Sequence, residues 1–196
     1  MSGPYPPHSF GGASLPPQYG GGVDGPEVIT PGAWIRFPGT APLVLATMGS
    51  RFVARLVDSV ILGVPAGVGF VVLLFAVVVE QPRLWWTLLL LAPAVVVVWF
   101  VYDGLLNGLR GATVGKTVAG VRVVTERSAT RPGSCPGIGA GLLRAATLAL
   151  PALLPCLGGF ITVLVGVSPF FDEITRQGWP DKAAGTYVVS TKPVRY

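Results

Sequence analysis

Three stretches of this chain carry almost no charge, and they decide in which solvent it can fold. Leu56 to Val79 is 24 residues with one charge, Asp58; Leu84 to Tyr102 is 19 residues with none; Ile138 to Phe171 is 34 residues with one, Arg144. About 20 apolar residues cross the ~30 Å hydrocarbon layer of a bilayer as a helix. Over the whole chain only 12% of residues are charged, roughly half the share of a soluble globular domain. The pattern predicts an integral, all-α membrane protein. Its helical bundle has three to four hydrophobic segments, near residues 52–79, 84–106 and 138–171.

The remaining composition narrows the class. Residues 1–45 hold nine Gly and nine Pro, a content that cannot bury a core. They read as a disordered tail, ahead of a membrane domain over 46–191 and a short tail at 192–196. Trp34 and Phe37 near its end are apolar enough to rest at the lipid surface. The tail is either a solvated tether or a docking segment for a protein partner. The first span is expected to serve as an uncleaved insertion signal. His8, the single histidine, lies in the tail, so no histidine-based site is available to the membrane domain. Cys135 and Cys156 are isolated and imply neither a metal site nor a disulfide. A net charge of +5 fits basic loops beside a membrane better than nucleic acid.

Loop charge gives an orientation. Asn107 to Gly137 contains Arg110, Lys116, Arg122, Arg127 and Arg131 against the single acid Glu126. Excess Lys and Arg mark cytoplasmic loops, so this loop and the N-terminus, with Arg36, Arg51 and Arg55, are expected inside. The "EQPR" turn, Glu80 to Arg83, then lies outside as a tight hairpin. Pro65 and Pro93 can kink the first two spans, and Gly63 and Gly67 permit a close helix approach. The third segment is broken by Pro151, Pro155 and Gly158-Gly159. It is one long kinked helix or a hairpin of two short arms. "AGVRVV" (119–124) and "AGTYVV" (184–189) each read as a short strand. Pairing them as a small cytoplasmic β-hairpin-like element requires one membrane side and favours the hairpin.

The intramembrane charges are the candidate functional residues. Arg51 and Asp58 share one face of a helix but lie roughly 10 Å apart along it. Arg55 can reach Asp58 at a spacing of three. A carboxylate at membrane depth faces the bundle interior and finds a partner or a water-filled cavity. Asp58 is therefore locked in an ion pair with Arg55 or Arg144, or it binds a proton or cation. Arg144 requires an anion, with Asp58 and Asp103 as candidates, although Asp103 sits where it can reach water. Lys116 and Asp181 are expected to meet, since a strand follows each.

"GATVGKT", Gly111 to Thr117, has a superficial likeness to a phosphate loop. The required first glycine falls at Arg110, and neither a strand before it nor the spacing fits. Three other features are more specific. "SRFVARLVDSVILG", "GATVGKTVAGVRVV" and "DKAAGTYVV" follow one another in order. Together the chain resembles the RDD family of membrane proteins over about residues 46–191, with Arg51, Asp58 and Asp181 as the matching arginine and aspartates. Trp179-Pro180 before Asp181 departs from a basic or histidine-containing approach. The resemblance implies a membrane domain and, for some relatives, cation/proton exchange.

Two functions follow. In the first, the protein transports a cation or proton using Asp58, with a homo-oligomer lining the path. In the second, it is a non-transporting scaffold or accessory protein, with the charges as structural ties. No nucleophile–base pair and no cofactor motif points to an enzyme. The Lys-poor, Gly/Ala/Val-rich composition fits a bacterial cell membrane protein, multi-pass with a cytoplasmic N-terminus.

Overall fold

A computed structural model describes residues 26–131, 134–154 and 156–192. Two long helices dominate. Helix α1, Met48–Phe75, begins at Thr47, whose hydroxyl accepts from the Ser50 amide at 3.2 Å. It runs through Pro65 and ends in a π-helical turn, Ala76–Glu80. A 3-10 turn at Pro82–Leu84 reverses the chain. Helix α2, Thr87–Arg110, then runs until Gly111, whose φ of 72° ends it in the left-handed region that glycine tolerates. Both helices are long and apolar enough to cross a membrane, and little of either is buried. Phe52, Val64, Val68, Val72, Leu89 and Val97 lie open on their flanks. Continuous apolar surface of that extent needs hydrocarbon around it.

The third hydrophobic segment is a hairpin. Helix α5, Ile138–Ala152, and helix α6, Gly158–Val167, fold back on each other, with Thr162 beside Leu148 and Gly158 against Pro151. At 1.5 Å per residue the arms are about 22 and 15 Å long, too short to span singly. The hairpin therefore leaves and returns at one end of the bundle.

At that end lie the short elements: α3 (Val114–Ala119), β4 (Val121–Thr125), α4 (Glu126–Thr130), α7 (Trp179–Ala183) and β5 (Thr186–Ser190). Strands β4 and β5 pair antiparallel from Val121↔Ser190 to Thr125↔Thr186, as the echoed sequences predict. Val121, Val123 and Val188 pack with Ala46 just before α1, Ala54 on α1 and Ala119 at the end of α3.

The expectation of disorder across 1–45 needs correcting. Residues 1–25 lie outside the described part, as do 193–196. Residues 27–44 instead form a three-stranded meander: β1 (Glu27–Thr30), β2 (Trp34–Arg36) and β3 (Leu43–Val44). Their glycines make turns: Gly32 and Gly39 have φ of 66° and 72°. Ile35 and Phe37 supply the apolar content for a core, with Leu45, Val124 and Val189. Phe37 is thus fully buried, its ring edge-on to Tyr187 at 5.3 Å, and does not rest on lipid. A bridge between Leu45 and Val189 joins the two sheets.

The close helix approach also lies elsewhere than expected. A Cβ on Gly63 or Gly67 would meet nothing within 4 Å. The tight contact is between Gly104 and Gly108 of α2 and Gly141 of α5. A Cβ on Gly104 would come within 2.7 Å of Leu142, and one on Gly141 would strike the Gly104 carbonyl. Small residues four apart let two backbones meet.

Candidate functional site: a buried charge cluster

Five helices bring charged side chains to one buried place beneath the β4–β5 sheet. Asp181 stands at its centre. It is the third residue of α7, and its Oδ2 accepts the Gly178 amide at 3.2 Å, which fixes the carboxylate on its own helix start. Its Oδ1 accepts from Arg144 Nε of α5 at 2.7 Å, and Arg51 Nη1 of α1 lies 3.4 Å from Oδ2. Arg51 also donates to the carbonyls of Arg176 and Val188. The residue that begins the sequence motif "DKAAGTYVV", on α7, therefore holds the first and third hydrophobic segments together.

A second group adjoins the first. Arg144 Nη1 lies 3.8 Å from Asp103 Oδ2 of α2. Lys116 Nζ of α3 lies 3.3 Å from Asp103 Oδ1 and donates to Asn107 Oδ1 at 2.6 Å. Asn107 is one helical turn beyond Asp103 and donates to its carbonyl at 2.6 Å. Asp103 is buried and pairs with Lys116 and Arg144 inside the bundle, where the sequence expectation has it reach water. Lys116 pairs with Asp103, not with Asp181. The reason is that α3 packs along α1 towards α2, while α7 packs on α5.

Asp58 stands apart and has no ion pair among the described residues. Its Oδ1 accepts from Tyr102 Oη at 2.8 Å and from the Gly115 amide at 2.8 Å; its Oδ2 accepts from Thr113 Oγ1 at 2.6 Å. The expected lock with Arg55 or Arg144 is thus replaced by three neutral donors. The "GATVGKT" stretch explains why. Thr113 caps α3, accepting from the Lys116 amide while donating to Asp58. Gly115 has no side chain because a Cβ would strike the Ala54 carbonyl and approach Asp58 Cγ to 2.8 Å. The stretch does receive an anion, but the anion is the protein's own carboxylate.

Arg55 has neither a hydrogen bond nor a carboxylate within 4.0 Å among the described residues. Its Nη1 lies 3.2 Å from the position a Cβ on Gly166 of α6 would take.

The electrostatics outside the spans agree with the geometry. Burial alone would raise the Asp181 carboxyl; Arg144, then Arg51, reverse this and hold it below its ordinary value. Burial pushes the Lys116 ammonium down to about 8, Arg144 adds to the shift, and Asp103 opposes it.

Of the sequence candidates, Arg51, Arg144 and Asp181 meet directly, and Lys116 joins them through Asp103. Asp58 is a neighbouring site and Arg55 lies beside both. Tyr102, Asn107 and Thr113 escaped the sequence reading. The available signal was Asp103 and Asn107 four apart on one helix face, together with the capping threonine three residues before Lys116.

A bundle with two membrane-capable helices, a returning hairpin and this buried arginine–aspartate cluster defines a class of integral membrane protein. The RDD family model matches residues 45–185, and the chain belongs to the RDD family. Comparison with curated proteins and with solved structures returns no match.

Proposed function

We propose that this chain is a multi-pass membrane scaffold or accessory protein and that its charged cluster is a clamp, not a conduit. The observation that carries this reading is Asp181, held at both oxygens by arginines of two different hydrophobic segments, Arg144 at 2.7 Å and Arg51 at 3.4 Å. Asp58 supports it: three donors already occupy its carboxylate. The charge balance supports it too. Arg51, Arg55, Lys116 and Arg144 outnumber Asp58, Asp103 and Asp181, so an entering cation meets net repulsion. The basic 107–137 loop and the N-terminal segment lie in the cytoplasm, and the membrane is the cell membrane. The same reading takes the chain as a non-enzyme that meets a protein partner through its N-terminal tail.

The transport function, the first that the sequence suggests, keeps one observation in its favour. Asp58 and Asp103 both line a small cavity of about 30 Å³, room for one water, and Asp103 Oδ2 has no hydrogen-bond partner among the described residues. A water held there would link the two carboxylates and offer a proton site. Flux in sealed proteoliposomes separates the two readings, with a pH-sensitive dye and pulses of Na⁺, K⁺ or Li⁺. The clamp reading expects wild type and Asp58→Asn to match empty vesicles. Proton movement against a cation, lost in a folded Asp58→Asn, would establish transport instead.

A further inference from the structure

An apolar-lined cavity of about 390 Å³ opens between α1 and α6. Its mouth is hydrophobic: Phe52 and Leu56 of α1, with Val163 and Phe170 from the hairpin side, line it and are exposed. Its deep end is cationic. Arg51, Arg55, Lys116 and Arg144 line it against one carboxylate, Asp181. Three of those cations are already paired within the clamp. Arg55 is not, and its guanidinium sits over Gly166, where the absence of a side chain leaves the space open.

A guanidinium at membrane depth without a counter-anion is costly. An apolar mouth that faces lipid while its floor carries excess positive charge fits an anionic amphiphile. The depth agrees. Arg55 lies seven residues into α1, about 10 Å along the helix, near the end that carries the basic loop, and a basic loop beside a span marks the level of a headgroup layer. We infer that this cavity binds an anionic phospholipid, with its phosphate on Arg55 and one acyl chain laid along Phe52, Leu56, Val163 and Phe170. Arg55 offers the planar, forked set of donors that suits a phosphate. Gly166 leaves room for the headgroup to reach it. The site goes beyond the clamp, and its test reads bound lipid rather than flux or stability.

Native mass spectrometry of the full chain in detergent tests it, titrating phosphatidylglycerol, then phosphatidylcholine, then inorganic phosphate. Wild type is expected to retain phosphatidylglycerol in preference to phosphatidylcholine. Arg55→Gln is expected to weaken phosphatidylglycerol binding about tenfold, as loss of one charged pair would. Gly166→Leu keeps every charge and fills the groove; it is expected to weaken binding similarly, and it carries the test should Arg55→Gln fail to fold. Arg127→Gln, on an exposed helix of the basic loop, is expected to bind as wild type does. Equal retention of the two lipids, or wild-type affinity in the Arg55 or Gly166 variant, overturns the proposal. So does inorganic phosphate binding as tightly as phosphatidylglycerol, which would make the ligand a soluble anion.

Discussion

Thr113 donates to the Asp58 carboxylate at 2.6 Å while the same hydroxyl oxygen accepts the amide of Lys116. One side chain thus caps α3 and anchors it to the membrane helix α1. The aspartate in the apolar run has its counterpart in the "TVGK" stretch that follows the second span, not in the arginines just before it. Asp58→Asn keeps the size, removes the charge, and sets an amide nitrogen against donors. It is expected to cost about 1.5–3 kcal/mol of stability, the range for hydrogen bonds to a charged group. Thermal unfolding of the purified protein measures this; an unchanged midpoint would deny Asp58 its anchoring role.

Gly115→Ala tests the same contact from the other side. The new Cβ meets the Ala54 carbonyl and the Asp58 carboxylate, so α3 must lift from α1. A cost of about 1–3 kcal/mol is expected, as for other overpacked sites. Hydrogen exchange should show faster exchange across Val114–Ala119 than elsewhere in the variant.

The clamp makes a pairwise statement. A double-mutant cycle between Arg144 and Asp181 should show strong coupling, since removing one partner of a buried pair leaves the other charge uncompensated, at about 3–5 kcal/mol. A cycle between Lys116 and Asp181 should show much less, because Lys116 is held by Asp103 and Asn107. Comparable coupling in both cycles would mean that the cluster is one diffuse network.

Much of this was readable from residues, and the failures share a cause. Charge-free stretches announce spans because hydrocarbon imposes one requirement on every residue within it. The paired strands announced themselves as echoes, "AGVRVV" and "AGTYVV". Partner choice did not. Asp181 meets Arg51 and Arg144 from segments far apart in sequence, and which acid faces Lys116 depends on how α3 and α7 pack. The order in residues 27–44 escaped because glycine and proline serve tight turns and disorder alike; only the burial of Ile35 and Phe37 distinguishes them. The same ambiguity misplaced the helix contact, since Gly63–Gly67 and Gly104–Gly108 carry one pattern and differ only in having a neighbour.

That difference is testable. Gly141→Leu should separate α5 from α2 and lower the unfolding midpoint sharply or abolish folded protein, because its Cβ would strike the α2 backbone. Gly63→Leu should change stability by no more than about 0.5 kcal/mol, as for substitutions that touch nothing. Blue-native electrophoresis of Gly63→Leu adds a readout. Loss of a higher-order band with stability intact would assign Gly63 to an interface between copies of the chain.

The pH dependence carries two signs. Asp181 is held below its ordinary 3.8 by Arg144 and Arg51 against the opposing effect of burial. Its contribution is fully present above about pH 4 and is lost as pH falls through the depressed folded value. Lys116 works in the opposite range. Burial lowers its folded value from 10.5 to about 8. Between those values the unfolded chain binds a proton that the folded chain does not, so this group makes stability rise with pH from about 8 to 10.5. Below pH 8 both states are protonated and its slope vanishes. Lys116→Met should remove that alkaline rise while leaving the acid limb of Asp181 in place. Unfolding midpoints from pH 3 to 10.5, wild type beside Lys116→Met, would show it. An alkaline limb identical in both proteins would show that Lys116 keeps its ordinary proton affinity in the fold.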